Sequence, residues 1–190
     1  MIAINTALLL VAVLLCIPTA LLCLEVLLAL VPHRRKNFAP WPEQARLVVL
    51  IPAHNEQAVL KATMDTLLPT IPAGSRVLVV ADNCTDATST IARQCSAEVI
   101  ERSDSQQRGK GFALDFGIRH LAQGPPDVVV FLDADCRVTP ETVRLLAAAA
   151  LATQRPVQGL NLCDPDPAGG ALQLVSGFAF RFKNLVRTLG

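Results

Sequence analysis

The chain has 190 residues, of which 52% are hydrophobic, and its formal net charge is only +1 at pH 7. A balance this close to zero, with no basic stripe beyond one short cluster, argues against a nucleic-acid partner. The mean hydropathy of +0.42 is high for a purely soluble domain, which predicts that part of the chain meets membrane lipid.

The first segment is an apolar run over residues 2–31, in which Glu25 is the only ionisable residue. A helix over these 30 residues would be about 45 Å long, against a hydrocarbon core of about 30 Å. One spanning helix with an interfacial overhang fits these lengths, so we predict a transmembrane anchor over residues 1–32. A cleaved signal peptide is the alternative, but it would need a basic start and a shorter apolar core, and both are absent.

A basic and Pro-rich juxtamembrane linker is predicted next, over residues 33–46. Its basic cluster at residues 33–36 follows the apolar run directly, whereas no Lys or Arg precedes that run. The positive-inside rule then places everything after the anchor in the cytoplasm. Trp41 lies between two prolines of this linker, and we expect it at the membrane interface.

Beyond the linker, short apolar runs alternate with segments of helical periodicity. Strands are predicted at residues 47–51, 77–81, 97–100 and 128–132, and helices at residues 56–68, 86–94, 111–122 and 140–153. Strands that alternate with helices predict an α/β fold, with a mostly parallel sheet covered by helices on both faces. We expect one domain over residues 47–190. Ligands of such sheets bind beyond the carboxyl ends of the strands.

Polar motifs lie where predicted strands end and where predicted helices begin. Pro52 ends the first strand and Glu56 opens the next helix, whose free N–H groups favour anionic ligands. Asp82 comes one step before the residues that cap the following helix, so it is free to accept a hydrogen bond from a ligand such as the imide N–H of uracil. Arg108 and Lys110 are presented by glycines that let a ligand approach the backbone. Helix caps and a solvated basic turn are the plainer interpretations.

The most informative motif is the pair Asp133 and Asp135, at the end of the apolar run over residues 128–132. Two carboxylates one residue apart at a sheet edge can hold a divalent cation and its phosphate ligands. An acidic turn is the alternative, because Asp is common where strands end. Carboxylates, cations and helix N-termini at one edge suit a metal-bound nucleotide diphosphate.

These motifs together resemble the nucleotide-sugar half of the family 2 glycosyltransferases. The resemblance covers residues 47–162 and is carried by four segments in this order: VVLIPAHNE, VVADNCTDAT, RGKGFALDFG and VVVFLDADCRV. It implies a GT-A fold, a nucleotide-diphosphate-sugar donor, Mn or Mg, and transfer with inversion. It further implies a role for each matching residue: donor-pocket lining for Pro52 and Glu56, base binding for Asp82, nucleotide contact for Arg108 and Lys110, a place near the ribose and sugar for Asp133, and metal ligation for Asp135.

The family normally takes its general base from an acidic residue further along, in the acceptor-binding half. We therefore expect the base beyond Gly190 and a domain that is C-terminally incomplete. Asp164 and Asp166 are acidic, but their flanking prolines indicate a turn. Residues 171–189 place apolar residues at helical spacing with basic residues between them. This pattern predicts an amphipathic helix that lies on the membrane or covers the missing half, or else an ordinary core-facing helix.

The resulting prediction is a membrane-anchored hexosyl- or N-acetylhexosaminyltransferase of polysaccharide biosynthesis. Its donor would be a metal-bound nucleotide sugar, with a UDP-sugar first, and its acceptor a glycan or a lipid-linked sugar. A truncated, non-catalytic nucleotide-sugar-binding module is one alternative. A haloacid-dehalogenase-type phosphohydrolase, with Asp133 as nucleophile and Asp135 as acid/base, is another, although it would leave Asp82 and Arg108 unexplained.

Overall fold

The structure is a computed structural model that describes residues 2–31, 38–162 and 170–189. The basic cluster at residues 33–36, together with Asp164 and Asp166, lies outside the described residues. The described chain forms two compact units. One comprises residues 38–159, and the other comprises residues 2–31, 160–162 and 170–189. The extent of a single transferase domain over residues 47–190 stays a prediction.

The larger unit is an α/β sheet structure, as the alternating pattern predicts. Its strands are β1 (Leu47–Ala53), β2 (Arg76–Asp82), β3 (Glu98–Arg102) and β4 (Val128–Phe131). Its helices are α2 (Leu60–Leu67), α3 (Thr88–Gln94), α4 (Lys110–Leu121) and α5 (Thr142–Thr153), with a short 3-10 turn at Leu68–Thr70. The four strands pair in parallel in the order β3-β2-β1-β4.

Helices cover both faces of this sheet, which is why the two central strands are apolar at nearly every position. Val49 and Val79 pack toward α2, α3 and α5. Leu50 and Val80, one residue later in each strand, pack toward α4 on the opposite face. Trp41 is partly buried against the first of these clusters, although its position in the linker predicted a place at the membrane interface.

The first strand differs from its prediction, since β1 runs through Pro52 to Ala53. Leu132 donates its N–H to the Leu50 carbonyl, so the backbone groups of Leu50 face β4. Pro52, two residues later, faces the same side, but β4 pairs with β1 no further than Leu50. The missing N–H of Pro52 therefore leaves no ladder partner unsatisfied, and the strand continues.

The helix predicted from residue 56 begins only at Leu60. Asn55 has a φ of 56°, a left-handed conformation that cannot enter a helix directly. Its side chain and that of Gln57 accept hydrogen bonds from the backbone N–H groups of Thr85 and Ala87. The segment before α2 is thus committed to the loop after β2, because tertiary hydrogen bonds outweigh helix propensity there.

The smaller unit contains α1 (Ile2–Ala29) and α6 (Ala171–Leu189), which contact each other. In the part of the chain that the structure describes, α1 alone has a stretch, Leu8–Ala29, long and apolar enough by length and composition to cross a membrane. Helix α1 continues through Pro18. Helix α6 has the predicted bounds and exposes Leu172, Val175 and Phe178 on its apolar side.

Candidate functional site

A cavity of about 400 Å³ opens at the carboxyl ends of β1, β2 and β4, beside the start of α4. Strand β1 lies between β2 and β4. The chain adds β2 and β3 on one side of β1 and then β4 on the other side, so the order of strands switches at β1. Such a switch point is where open parallel sheets bind their ligands. All seven predicted site residues line this one cavity: Pro52, Glu56, Asp82, Arg108, Lys110, Asp133 and Asp135.

Two interlocked loops form one wall of the cavity. The Glu56 backbone N–H donates to Thr88 Oγ1 at 2.8 Å, and the Gln57 N–H donates to Asp86 at 3.1 Å. Desolvation raises the pKa of Asp86, but hydrogen bonds from Thr88 and Gln57 outweigh it and hold that pKa below its usual value. His54 Nδ1 lies 2.7 Å from the Asp82 carbonyl oxygen, which ties the end of β1 to the end of β2. These contacts give the wall a defined shape before any ligand binds.

Asp82 is buried, with only 4% of its surface exposed, and one of its two carboxylate oxygens is fully engaged. Oδ1 accepts hydrogen bonds from Arg102 Nη1 at 2.7 Å and from Asn83 Nδ2 at 3.0 Å. None of the described residues donates to Oδ2, although Asp82 lines the cavity. A carboxylate in this state presents a hydrogen-bond acceptor to a bound molecule.

Cations and free backbone N–H groups lie opposite, where α4 begins. Gly109 precedes the helix with a φ of 114°, a conformation that residues with a Cβ rarely adopt. Arg108 makes no ion pair with any residue that the structure describes, whereas Lys110 Nζ donates to Asp133 Oδ1. A helix N-terminus with two adjacent cations favours phosphate groups.

Asp133, Asp135 and Cys136 bring their ligand atoms within 4.8 Å of one another. Burial raises the pKa of the Cys136 thiol, as do the nearby carboxylates of Asp135 and Asp133, so sulfur stays protonated at neutral pH. Two accessible carboxylates are hard oxygen ligands of the kind that Mg²⁺ and Mn²⁺ prefer. The donor set therefore fits a divalent cation.

Helix α2 holds the acidic loop in place through two hydroxyl groups. Thr63 Oγ1 donates to the carbonyl of Ala134, between the two aspartates, at 2.7 Å, and only 1% of Thr63 is exposed. Thr66 Oγ1 accepts the N–H of Val138 at 3.3 Å. The positions of both carboxylates thus depend on α2 as well as on β4.

Three supporting residues were not among the predicted ones: His54, Thr63 and Arg102. Arg102 was recognisable in principle, because it is a polar residue at the carboxyl end of a strand, like Asp82. The two threonines of α2 are three residues apart on its inner side, but threonine is too common in helices for this spacing to indicate a role.

Comparisons with known proteins place this chain among the glycosyltransferases. The family model described as "Glycosyl transferase family 2" matches residues 48–170. The probable glycosyltransferase YdaM of Bacillus subtilis is 33% identical over 119 residues, which are 58% of this chain and 26% of that protein. An uncharacterized glycosyltransferase of Mycobacterium tuberculosis is 36% identical over 122 residues, which are 60% of this chain and 51% of that protein.

Among solved structures, the mannosyltransferase PcManGT of Pyrobaculum calidifontis, in complex with GDP-Man and Mn²⁺, has the same fold. The TM-score is 0.57 at 22% identity, over 85% of this chain and 47% of that one. The chain thus spans between a quarter and about half of the length of these proteins. The predicted GT-A fold is confirmed. With a family match over most of its length, this chain belongs to glycosyl transferase family 2.

Proposed function

We propose that the cavity binds a nucleotide-diphosphate sugar together with Mn or Mg. A UDP-sugar is the first candidate for this donor. One observation carries this proposal: an acceptor for a base, cations for a diphosphate and carboxylates for a metal all line a single cavity. The mannosyltransferase of the same fold, solved with GDP-Man and Mn²⁺, supports this class of ligand. Membership of this family argues against the phosphohydrolase alternative.

Each part of the donor is bound by residues of matching chemistry. Asp82 Oδ2 accepts from the imide N–H of the base, while Pro52 and Glu56 line the same pocket. Arg108, Lys110 and the N-terminus of α4 attract the diphosphate. Lys110 forms an ion pair with Asp133 in the structure. With the donor bound, Lys110 would pair with the diphosphate, and the negative charge of Asp133 would face the cation.

Asp135 would hold the cation, with Asp133 beside it near the ribose and the sugar. When bound, the metal stabilises the negative charge that grows on the departing nucleoside diphosphate. The protein's own part is to orient the diphosphate on α4 and to place the two carboxylates by the hydroxyl groups of α2. No general base is assigned among the described residues.

The whole protein would then transfer a hexosyl or N-acetylhexosaminyl group, with inversion, to a glycan or a lipid-linked sugar. The apolar stretch of α1 supports a single-pass anchor, and the basic cluster that follows it supports a cytoplasmic transferase domain. A non-catalytic donor-binding module is the second candidate, since the chain covers only part of the length of its relatives.

Calorimetric titration of the full chain in detergent, with UDP, GDP and dTDP, in the presence and absence of Mn²⁺, tests this function. We expect UDP to bind only with metal. Asp135→Ala should weaken UDP binding at least about tenfold, the loss seen even for residues that only support a metal ligand. Asp65→Ala is the matched control, because Asp65 is an exposed aspartate that pairs with Lys61 on α2, away from the cavity.

A folded chain that binds none of the three nucleotides would contradict the donor proposal. Release of UDP from a UDP-sugar, measured on the same sample, separates the two candidates. An enzyme hydrolyses or transfers the donor, whereas a binding module returns it unchanged.

A further inference from the structure

Arg102 lies at the centre of a polar network beside the cavity. Its side chain is 10% exposed and does not line the main cavity. Nη1 donates to Asp82 Oδ1 and to the carbonyl of Gln107, each at 2.7 Å. Nη2 donates to Asp104 Oδ2 at 3.3 Å. One guanidinium group thus joins the end of β2 to the loop that leads to Arg108 and Lys110.

The remaining contacts leave this guanidinium little freedom. Its central carbon lies 5.6 Å from the centre of the Phe112 ring, within the range of a cation–π interaction. Asp104 accepts the N–H groups of Gln107 and Gln106, which hold its pKa below the usual value, so it stays ionised as the second anchor of Arg102. Asn83 completes the network, because it donates a hydrogen bond to Asp82 Oδ1 and accepts one from the Asp104 N–H at 2.8 Å.

The network fixes the rotation of the Asp82 carboxylate. Both donors, Arg102 and Asn83, bind Oδ1, and none of the described residues binds Oδ2. With Oδ1 tied on the protein side, Oδ2 is the oxygen left for a molecule in the cavity. We infer that Arg102 is a positioning residue for base selection, which holds Asp82 so that Oδ2 accepts the N–H of uracil and disfavours cytosine.

The chemical basis of this selection is the ring nitrogen N3. Uracil carries a proton there and donates to a fixed carboxylate oxygen, whereas cytosine presents a lone pair that the same oxygen repels. A hydrogen bond to a charged group, made by one base and denied to the other, corresponds to about tenfold to a hundredfold in affinity. This inference rests on the proposed function, since it assumes that a uridine diphosphate donor occupies the cavity.

The test compares the affinities of UDP and CDP, with Mn²⁺, for the full chain and its variants. Arg102→Gln removes the charge and the forked geometry, and Arg102→Lys keeps the charge but cannot reach Asp82, Asp104 and Gln107 together. We expect wild type to prefer UDP at least about tenfold, Arg102→Gln to fall below about threefold, and Arg102→Lys to lie between them. Arg76→Gln is the control, because Arg76 pairs with Glu98 at the far end of the sheet.

A ratio of affinities separates this role from a merely structural one. If Arg102 only stabilised the fold, its loss would weaken UDP and CDP by the same factor, and the inference would be wrong. In the double variant Asp82→Asn, Arg102→Gln, the preference for UDP over CDP should be at least as large as in Asp82→Asn alone. Both substitutions act on one contact, so the second should remove nothing further. If Arg102→Gln does not fold, Arg102→Lys and Asp104→Asn decide by the same ratio.

The outcomes also distinguish this inference from the proposed function. A wild-type chain that binds neither UDP nor CDP with metal overturns both. A wild-type chain with a clear UDP preference, retained in all folded Arg102 variants, overturns only the role of Arg102.

Discussion

Buried polar side chains at the carboxyl edge of the sheet bond to groups of neighbouring loops and strands. Thr63 is the clearest case, because it is buried on the inner side of α2 and bonds to Ala134 across 71 positions of sequence. Oδ1 of Asp82 is held instead by two side chains, those of Arg102 and Asn83. At this scale the site depends on Thr63 and Arg102, which are not among the residues that line the cavity.

Replacement of Thr63 should therefore affect both stability and metal binding. Thr63→Val keeps the shape but leaves the Ala134 carbonyl without its donor, which should lower the free energy of unfolding by about 1–3 kcal/mol. The two carboxylates beside Ala134 would lose a fixed position, so UDP binding should require more Mn²⁺. Urea unfolding, followed by the fluorescence of the single Trp41, measures the first effect, and a Mn²⁺ titration at constant UDP measures the second.

Thr63→Ser is the matched control, since it retains the hydroxyl group and should restore the Mn²⁺ requirement of wild type. Equal Mn²⁺ requirements for the serine and valine variants would rule out a positioning role for this hydroxyl.

Among the elements, α4 packs closely against the sheet at Gly117. A Cβ built on Gly117 would lie 2.6 Å from Leu50 Cδ1 and 2.9 Å from Val80 Cγ2, and both residues are fully buried. Glycine at this position lets the helix pack tightly on β1 and β2. That packing places the N-terminus of α4, with Arg108 and Lys110, beside the cavity.

Two glycine substitutions in the same helix should have opposite effects. Gly117→Ala should lower the free energy of unfolding by about 1–3 kcal/mol, because the added methyl group overpacks the core. Gly111→Ala, where nothing lies within 4 Å of the new Cβ, should raise it by about 0.5–1 kcal/mol through helix propensity. Urea denaturation of both variants measures this difference. Equal effects at the two positions would show that α4 does not approach the sheet as closely as described.

On the scale of the whole molecule, the α/β unit carries the candidate site, and the other unit carries the apolar helix α1 and the amphipathic helix α6. The Leu8–Ala29 stretch of α1 has 22 residues, which is about 33 Å of helix. Most of its side chains are exposed, with Glu25, Val26 and Ala29 half-buried, so a surrounding bilayer would supply apolar contacts to the exposed ones.

We expect the expressed protein to float with lipid vesicles and to resist alkaline carbonate extraction. Ile17→Lys combined with Leu21→Lys should abolish this resistance, because each central lysine costs about 2.5–3.5 kcal/mol of insertion free energy. Gln94→Lys combined with Gln123→Lys adds the same charge at exposed positions outside α1 and should change nothing. Extraction of the wild-type protein by carbonate would contradict a spanning anchor.

Much of the architecture was predictable from the sequence, because burial on both faces leaves a strong signal. The runs that became β1, β2 and β4 are continuously apolar, and a parallel sheet under two helical layers requires such runs. Asp82, Asp133 and Asp135 were recognisable as site residues for a related reason: charged residues that end an apolar strand lie at a sheet edge.

Other features depended on neighbours far away in sequence. Pro52 ends an isolated strand by its own chemistry, yet β1 continues because β4 stops pairing with it at Leu50. The segment around Glu56 satisfies the local rules for a helix start, but it forms hydrogen bonds with the loop after β2 instead. Local propensities of a few tenths of a kcal/mol cannot compete with a set of such hydrogen bonds.

The sequence by itself determined the alternation of elements, the two-sided burial of the sheet and the chemistry at its edge, since periodicity and side-chain type are local properties. Only the tertiary structure decided that Arg102 engages Asp82 through Oδ1 and that Thr63 holds the acidic loop. Those contacts join residues 20 and 71 positions apart. Their geometry exists only after the strands have taken their order in the sheet.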